Sequence, residues 1–447
     1  MATTVLDSVL FRDAFGTPAM RAVFEDRALV ARYVEVEVAL ARAQGRCGVI
    51  PADAARDIAA RSDAAALDLD LMRQGTEIVG YPILPLVQQL GKMCGEAGRY
   101  VHWGATTQDI MDTAVVLQVR EALALIEADL DAVRGILVRQ ARRYRDTPMA
   151  GRTHLQQALP VTFGYKLAVC LAMLDRHSER LAQLCPRVLV GQFGGAAGTL
   201  ASLGERGLEV QAAMMDELGL GVPLATWHVA RDGLAEAVNF LGLLTGSLGK
   251  IAYDVILLAS TEVAEVREPF VSGRGASSTM PQKRNPISSE LILAASKAVR
   301  QHAGLMLDAM VQDLERATGP WHAEWIAIPE SFILAAGALH QAKFMLDGLV
   351  VDEARMRRNL EMTSGLIVAE AVMMGLAPRL GRNEAHDVVY AACRTAGDTG
   401  KSLAEVLAGM PEVSAHLDRE AIGRLTSPSN YLGAAPQMVD RVVGDRR

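Results

Sequence analysis

A heptad-like seam of apolar residues, about thirty positions long, constrains the fold of this chain more than any other feature of its sequence. The seam begins at Val116 and recurs every three or four positions up to Leu137. This spacing places the apolar side chains on one face of a long α-helix. Pro148 and Gly151 are predicted to end the helix, because neither residue favours a helix interior.

Three further stretches have the length and apolar periodicity of long helices. The sequence predicts a second helix from about Val161 to Leu184 after Pro160, a third from about Asp232 to Val266, and a fourth that opens at Pro286. The alternation of β-branched residues that is typical of a sheet is absent between them. Four such helices predict an all-α fold built on a central long-helix bundle.

Chain length and hydrophobic content indicate several domains. The chain has 447 residues, of which 50% are hydrophobic, so it can bury more than one ordinary core. We predict three helical domains, with boundaries near the two ends of the long-helix region: residues 1–110, 111–355 and 356–447. The apolar stripes themselves are predicted to be core packing.

Charge and cysteine usage exclude several classes of partner. Lys and Arg number 45 against 52 Asp and Glu, a net charge of −7 without a basic block, which argues against nucleic acid or an anionic membrane as the main partner. The five cysteines contain no CxxC pair, so neither a disulfide framework nor a zinc site is indicated. No signal-peptide core is evident, and no apolar run approaches the ~18 residues of a membrane span. We therefore expect a cytoplasmic protein that acts on a small molecule without a metal or another cofactor.

Three polar, glycine-rich segments between the helices are the candidates for function. They are His102–Asp112, Gly151–Gln157 and Gly273–Glu290. Loops that are distant in sequence can meet at one end of a helical bundle, and functional residues are commonly carried by loops on a rigid scaffold. We expect the active site to draw on these segments.

The segment GRGASSTMPQKRNPI, residues 273–287, has the character of an anion-binding lid. Its Gly and Ser residues permit movement, and Lys283 and Asn285 offer donors to an anion. Pro286 at a helix N-terminus adds a dipole that favours a carboxylate. The alternative is an ordinary solvated linker with a capping Asn, and the residues alone leave both interpretations open.

This segment also strongly resembles the signature loop of the fumarase/aspartase superfamily, which has the form SSxMPxKxNP, and every fixed position is present. VHWGATTQDIMDT (101–113) resembles the first conserved segment of that family, and GRTHLQQALPVTFG (151–164) resembles the second. Three matches in the same order are highly specific. On these segments and on GQFGGAAGTLASLG and WHAEW, the chain is most similar to the 3-carboxy-cis,cis-muconate cycloisomerases and next to the adenylosuccinate lyases.

The resemblance implies a role for each of five residues. Ser278 would be the base that removes the proton beside a carboxylate, provided that donors and dipoles of the loop lower the pKa of its hydroxyl. Lys283 and Asn285 would hold the carboxylate whose charge spreads into the aci-carboxylate intermediate. His154 would protonate the leaving group, and His102 would assist it or orient the substrate.

The resemblance also implies a set of substrate-binding residues. They are Thr106, Thr107, Gln108, Thr153, Gln156, Gln192, Ser277, Met280, Lys283, Asn285 and Arg316. For Arg316 a second interpretation stays open, an exposed arginine that pairs with Glu315 or Asp313. Asp109 is expected to be a helix cap or a hydrogen-bond partner. The glycines that follow Gln192 do not indicate a dinucleotide loop, because no strand precedes them.

One departure from the cycloisomerases concerns the substrate. The bacterial cycloisomerases usually have Trp where this chain has His154, whereas the C–N lyases have His there. We predict a reversible elimination or addition next to a carboxylate, with lactonisation of a muconate-type polycarboxylate as the leading hypothesis. The alternative is a C–N lyase that releases fumarate from a succinyl-amine substrate. A catalytically dead structural scaffold is a minor alternative.

The resemblance further implies a homotetramer with a 20-helix core, in which the loops around Thr106, His154 and Ser278 come from three different subunits. Helices of about thirty residues at ~1.5 Å per residue span on the order of 45 Å, too far for all three loops to meet if they sit at opposite ends of one bundle. An isolated monomer would then be inactive.

Overall fold

The computed structural model describes residues 4–316 and 318–444, which are mostly α-helical and confirm the predicted all-α class. The helices of the first half are α1 Arg12–Phe15, α2 Pro18–Phe24, α3 Asp26–Arg46, α4 Ala52–Arg61, α5 Leu69–Val79, α6 Ile83–Met93, α7 Thr107–Arg143, α8 Phe163–Val188 and α9 Gly207–Leu218. Those of the second half are α10 Asp232–Ala259, α11 Ile287–Ala309, α12 Pro320–Asp347, α13 Glu353–Glu361, α14 Ala369–Leu380, α15 Arg382–Thr399, α16 Leu403–Ala408, α17 Pro411–Ser414, α18 Arg419–Leu425 and α19 Ala435–Val443. Short 3-10 helices lie at Ala64–Ala66, Gly95–Tyr100, Ala201–Arg206, Leu366–Val368 and Pro428–Asn430.

The four predicted long helices are present, with shifted ends. The apolar seam lies on α7, and no seam residue is more than 2% exposed. Helix α8 begins at Phe163 rather than directly after Pro160, and α10 ends at Ala259 rather than near Val266. A further long helix, α12, was not predicted.

Two small antiparallel sheets correct the expectation that strands are absent. Strand β1 (Pro148–Thr153) pairs with β2 (Gln156–Thr162), and β3 (Val266–Arg267) pairs with β4 (Val350–Val351). Pro148 and Gly151 therefore lie in a strand, and so does Pro160, although all three were predicted to mark helix ends. The hairpin strands do not alternate cleanly between apolar and polar residues, and this is why their pattern was missed.

The described residues form two compact units. Unit 1 consists of the described residues of Met1–Asp131, Arg176–Gly249 and Leu291–Gln341. Its core brings together α3, the start of α7 and α9, through side chains such as Val36, Leu40, Leu117 and Met214. The predicted three-domain division stays a prediction.

Within unit 1 a buried ionic cluster holds the starts of three helices. The guanidinium of Arg231, just before α10, donates to Asp112 of α7 at 2.7 and 2.9 Å. The same group donates to Glu324 of α12 at 2.8 and 2.5 Å. Because all three side chains are buried, loss of one partner would leave an uncompensated charge in the core.

Unit 2 consists of the described residues of Ala132–Asp175, Lys250–Glu290 and Ala342–Arg447. Helices α14–α18 enclose one apolar core, which includes Val372, Leu376, Leu403 and Val413. A second, smaller cluster packs Ala150 of β1 against α13, α14 and the turn between them. The hairpin is thereby anchored at its base.

Helix α10 corrects the expectation that no apolar run reaches the length of a membrane span. By length and composition alone, this one helix among the described residues could cross a membrane. Half of its most apolar window is buried inside the chain. A mostly apolar helix that packs in this way is common in the cores of large proteins, so we assign α10 to core packing.

Candidate active site

The first candidate segment, His102–Asp112, is only partly a loop, because α7 begins at Thr107. The backbone N–H of Asp109 donates to the carbonyl of Thr106 at 3.0 Å, and the carboxylate of Asp109 accepts from the N–H of Thr106 at 3.0 Å. These reciprocal bonds satisfy donors that a helix start leaves open. The predicted capping role of Asp109 is confirmed.

The buried carboxylate of Asp109 also holds a second loop. It accepts from the backbone N–H groups of Gly194 and Gly195, both at 2.9 Å, and lies 2.8 Å from Nε2 of His228. A β-carbon at Gly194 would lie 2.9 Å from the Thr226 hydroxyl, so this close approach requires glycine. The glycine pattern after Gln192 therefore serves packing against α7.

We expect Asp109→Asn to lower the free energy of unfolding by about 2–3 kcal/mol, because the amide nitrogen cannot accept the bonds that one carboxylate oxygen accepts. Equilibrium unfolding in urea measures this loss. Asp57→Asn is the matched control, since the exposed Asp57 carboxylate lies 3.8 Å from Arg61 and should contribute less than about 0.5 kcal/mol. Equal stability of the two variants would contradict the assigned role.

Arg316 lies beside the start of α7. Its guanidinium donates to the Thr106 hydroxyl at 3.1 Å and to the carbonyl of Ala196 at 2.7 Å. The carboxylate of Asp313 accepts instead from Thr318. Over residues 4–316 and 318–444 no carboxylate forms an ion pair with Arg316, so its charge is available to an anion next to the helix N-terminus.

Gln108 and Gln192 lie deeper than a substrate-binding residue in an open site would. Gln108 donates from Nε2 to the carbonyl of His228 at 2.9 Å. Gln192 is 0% exposed, and its Oε1 accepts from the Thr226 hydroxyl and from the N–H of Trp227. These contacts support a structural role, and substrate binding by either glutamine stays a prediction.

His102 forms a buried pair with a residue that the sequence did not single out. Its Nδ1 lies 2.6 Å from the carboxylate of Glu37, which is 2% exposed on α3. Burial lowers the pKa of His102, but the charge and hydrogen bond of Glu37, together with the charge of Asp109, raise it above its ordinary value overall. His102 is also held at a φ of 62°, a conformation that costs a non-glycine residue free energy.

The pair predicts a pH-dependent contribution to stability. Because the folded pKa of His102 lies above the unfolded value, the contribution is fully present below about pH 6.5 and is lost as the pH rises through the folded pKa. Glu37→Gln should therefore cost most stability near pH 6 and progressively less toward pH 8, as measured by urea unfolding. Glu35→Gln on the same helix, which loses a partly exposed ion-pair partner of Arg32, is the control and should show no such trend. A deficit for Glu37→Gln that grows with pH would contradict the pairing.

The second candidate segment is the tip of the β1–β2 hairpin. Thr153 pairs with Gln156, so His154 and Leu155 form a two-residue turn with φ values of 51° and 64°. Such turns favour Asn-Gly, and other residues there cost on the order of 1–3 kcal/mol each. The chain thus holds a histidine at a position where its conformation is strained.

The turn is exposed, whereas the strand residue Arg152 close to it is held in place. Leu155 is 78% exposed, and His154 has no hydrogen-bond partner in the described part of the chain. Next to the turn, Arg152 donates two hydrogen bonds to the buried Glu265 carboxylate, at 3.0 and 2.6 Å, and Asn359 donates a third at 2.8 Å. An acid in open water lacks the preorganised surroundings that catalysis needs, so another surface must cover His154 if it acts as the acid.

The third candidate segment is a loop closed upon itself. Ala276 and Arg284 form an antiparallel bridge, and the N–H of Asn285 donates to the carbonyl of Gly275 at 3.0 Å. Gly275 has a φ of 69°, and a β-carbon there would lie 2.6 Å from the carbonyl oxygen of Asn285. Only glycine fits this closure without a shift of the backbone.

Inside the loop the two serines differ. The hydroxyl of Ser277 accepts from the backbone N–H groups of Thr279 at 3.3 Å and Met280 at 3.1 Å. Ser278 is exposed and has no hydrogen-bond partner among the described residues. Donors of the loop were expected to activate Ser278, but in this conformation the backbone N–H groups donate to Ser277. The role of Ser278 as base stays a prediction.

The N-terminus of α11 corrects one expectation about the anion. The carboxylate of Glu268 accepts from the backbone N–H of Ser288 at 3.1 Å and of Ser289 at 2.8 Å, and from the Ser289 hydroxyl at 2.7 Å. Glu268 therefore occupies the helix end that was expected to favour a substrate carboxylate. Lys283 and Asn285 still line a cavity beside this end.

The predicted site residues fall into two groups. Unit 1 carries His102, Thr106, Thr107, Gln108, Gln192 and Arg316, and it brings Arg316 to Thr106. Unit 2 carries Thr153, His154, Gln156, Ser277, Ser278, Met280, Lys283 and Asn285. Of these, Met280, Lys283 and Asn285 line one cavity, whereas Ser278 and the hairpin turn do not.

Sequence reasoning missed three carboxylates, the buried ones of Glu37 and Glu265 and the partly buried one of Glu268. A signal for Glu37 was present, because it lies among apolar residues of α3 that are buried at helical spacing, such as Val34 and Leu40. A charged residue on a buried helix face is rarely unpaired. Glu265 and Glu268 lie outside regular periodicity and gave no comparable signal.

Comparison with known families identifies the chain's relationships. Residues 14–300 match the family model described as Lyase, and residues 365–442 match the one described as Adenylosuccinate lyase C-terminus. The chain is 49% identical to the 3-carboxy-cis,cis-muconate cycloisomerase of Pseudomonas aeruginosa, with 98% of this chain and 96% of that protein covered. It is 48% identical to trans-aconitate decarboxylase 1 of Mycosarcoma maydis, with 96% and 88% covered.

Solved structures agree with these relatives. The crystal structure of fumarate lyase from Mesorhizobium sp. BNC1 superposes with a TM-score of 0.91 at 57% identity, with 97% of this chain and 99% of that chain covered. The cycloisomerase and the decarboxylase are identical to this chain to nearly the same extent, yet their names give different reactions.

Proposed function

Because the chain belongs to the fumarase/aspartase superfamily of lyases, we propose that it catalyses lactonisation of a muconate-type polycarboxylate, a reversible addition next to a carboxylate. The observation that carries the proposal is the complete signature loop in a chain that is 49% identical, over nearly its full length, to a 3-carboxy-cis,cis-muconate cycloisomerase. The chain is an enzyme of this superfamily, and the substrate is the part that we propose.

The proposed reaction uses two separate anion-binding groups. In the proposed tetramer, Arg316 and Thr106 at the start of α7 of one subunit would bind one carboxylate, and Lys283 and Asn285 of another subunit would bind a second. In the addition, a carboxylate oxygen of the substrate forms a bond to one alkene carbon, and the electron pair of the double bond moves toward the neighbouring carboxylate. Fixed donors stabilise the resulting aci-carboxylate more than the ground state.

Transfer of a proton to carbon then completes the addition. In the lactonising direction the hydroxyl of Ser278 gives its proton to the carbon beside the carboxylate, and in the reverse direction the Ser278 alkoxide removes that proton. The lactone oxygen leaves as a carboxylate in the reverse reaction, and a carboxylate needs no proton to depart. No cofactor is required for this balance of atoms and electrons.

A C–N lyase that releases fumarate is the second candidate, and His154 is the observation that favours it. The strained turn presents an imidazole that could protonate a departing amine. Amines depart poorly without a proton, whereas a lactone carboxylate does not need one. The two candidates therefore differ in what they require of His154.

The variant His154→Trp should separate the two. A cycloisomerase is expected to retain muconate turnover within about tenfold, whereas a C–N lyase should lose about 10²–10⁴-fold in kcat when its general acid is removed. Steady-state kinetics with each substrate measures the effect. A Trp variant that is inactive on muconate but folded by circular dichroism would contradict the leading candidate.

An ultraviolet screen of the purified protein tests the proposed function itself. Loss of 3-carboxy-cis,cis-muconate absorbance is the expected result. Formation of fumarate from succinyl-amine adducts, with muconate unchanged, would overturn it in favour of the second candidate. Turnover of neither class, together with tight binding to a partner instead, would revive the dead structural scaffold.

We further propose that the enzyme is a cytoplasmic homotetramer. All five cysteines are free thiols in the structure, which suits a reducing compartment. The exposed His154 turn supports assembly, because another subunit would supply the surface that covers it. Its ligand is a small polycarboxylate, and neither nucleic acid nor a membrane is part of the proposal.

A further inference from the structure

Unit 2 contains a cavity of about 990 Å³ under the signature loop. Six basic side chains line it, namely those of Arg267, Arg274, Lys283, Arg284, Arg355 and Arg358. Only two carboxylates line it, those of Glu268 and Asp352. The walls therefore carry an excess of four positive charges.

Both carboxylates are engaged elsewhere. Glu268 accepts the N-terminal donors of α11, and Asp352 accepts from the backbone N–H of Arg355 at 2.8 Å at the start of α13. In the part of the chain that the structure describes, neither forms an ion pair with Arg267, Lys283, Arg284, Arg355 or Arg358. The chain's own acids thus leave most of the cavity's charge unpaired.

The arginines differ in how they are held. Arg355 is anchored by the carbonyls of Val263 at 3.0 Å and Glu262 at 2.6 Å, and Arg284 lies 4.5 Å from the ring centre of Phe270. The guanidinium groups of Arg267 and Arg358 form no hydrogen bond or ion pair among the described residues. Like charges held together cost free energy, and a bound anion offsets that cost.

We infer that Arg358, assisted by Arg267, binds a third anionic group of the substrate and so determines its specificity. Lys283 and Asn285 in the same cavity would take the carboxylate beside the reacting carbon, and this assignment rests on the proposed function. The charge excess exceeds what one carboxylate neutralises, and the volume suits a small molecule. The ligand class is a small trianion, either a tricarboxylate or a dicarboxylate with a phosphoryl group.

Isothermal titration with two non-reacting ligands tests this inference. Tricarballylate and glutarate share one carbon chain and differ by the central carboxylate. The wild-type enzyme should bind tricarballylate about tenfold more tightly than glutarate, a preference that falls as salt is added. Arg358→Gln should remove most of this preference. Arg357→Gln is the matched control, because Arg357 is the next residue on α13 and does not line the cavity, and it should keep the preference.

Equal wild-type affinities for the two ligands, or an Arg358→Gln variant that keeps the full preference, would overturn the inference. A 3-phosphonopentanedioate arm, which keeps the same carbon chain and places a phosphonate on the same central carbon, separates the two sources of charge: tighter binding than tricarballylate supports a phosphoryl group, and weaker binding supports a carboxylate. Because no turnover is measured, failure of the proposed lactonisation leaves this result unchanged. An absent preference would in turn leave the elimination chemistry intact.

Discussion

Replacement of Ser278 by alanine is expected to lower kcat by about 10²–10⁴-fold, the usual contribution of proton transfer by a positioned group. Substrate affinity should change little, because Lys283 and Asn285 remain in place. The physical reason is that alanine has no oxygen to carry the proton between the loop and the carbon. Steady-state and single-turnover kinetics on the substrate found in the screen measure both quantities.

Ser277→Ala is the matched control for this result. The Ser277 hydroxyl orders the loop by accepting two backbone bonds, so its loss should weaken kcat by about tenfold or less. Retention of more than roughly a tenth of kcat by the Ser278 variant would exclude Ser278 as the base. The same would follow if the two variants lost equal activity.

If the enzyme is the C–N lyase of the second candidate function, activity on a succinyl-amine substrate is expected to reappear when two variants that are then inactive, His154→Asn and Ser278→Ala, are dissociated together and reassembled. His154 is exposed on a hairpin turn and Ser278 on a loop, and in the described part of the chain neither has a hydrogen-bond partner. If different subunits supply these residues, mixed tetramers contain some sites in which both are intact. Each parent should be about 10²-fold or more below wild type, so recovered activity would stand far above both.

Subunit exchange must be shown independently, by native mass spectrometry of isotopically labelled variants. Reassembly of each variant with itself is the control and should restore nothing. Fully exchanged tetramers that remain as inactive as either parent would show that His154 and Ser278 belong to one chain.

The helical part of the fold could be predicted because a local, periodic pattern of apolar residues determines it. The seam from Val116 to Leu137 requires a long helix whatever surrounds it, and α7 contains every seam position. The β1–β2 hairpin could not be predicted in this way. Its stability comes from Arg152, Glu265 and Asn359, which are distant in sequence and meet only in the fold.

The candidate site, like the fold, could be predicted from the sequence only in part. The signature loop was identified from consecutive residues, because the chemistry that we propose places Ser278, Lys283 and Asn285 at fixed short spacing. Two carboxylates near the candidate residues were not identified, because they are distant in sequence from their partners: Glu268 accepts from the start of α11, and Glu37 pairs with His102. In the tetramer that we propose, the residue that covers His154 comes from another subunit, and the sequence pattern around His154 does not encode it.

Proton transfer to the carbon beside a carboxylate is the central claim, and the reaction run in deuterium oxide tests it most directly. We predict that the product from 3-carboxy-cis,cis-muconate carries one deuterium on the carbon next to a carboxylate, with no loss of carbon dioxide, and that Ser278→Ala does not form it. Proton NMR and mass spectrometry of the product report both features. A product without deuterium at that carbon, or one that has lost carbon dioxide, would contradict the account.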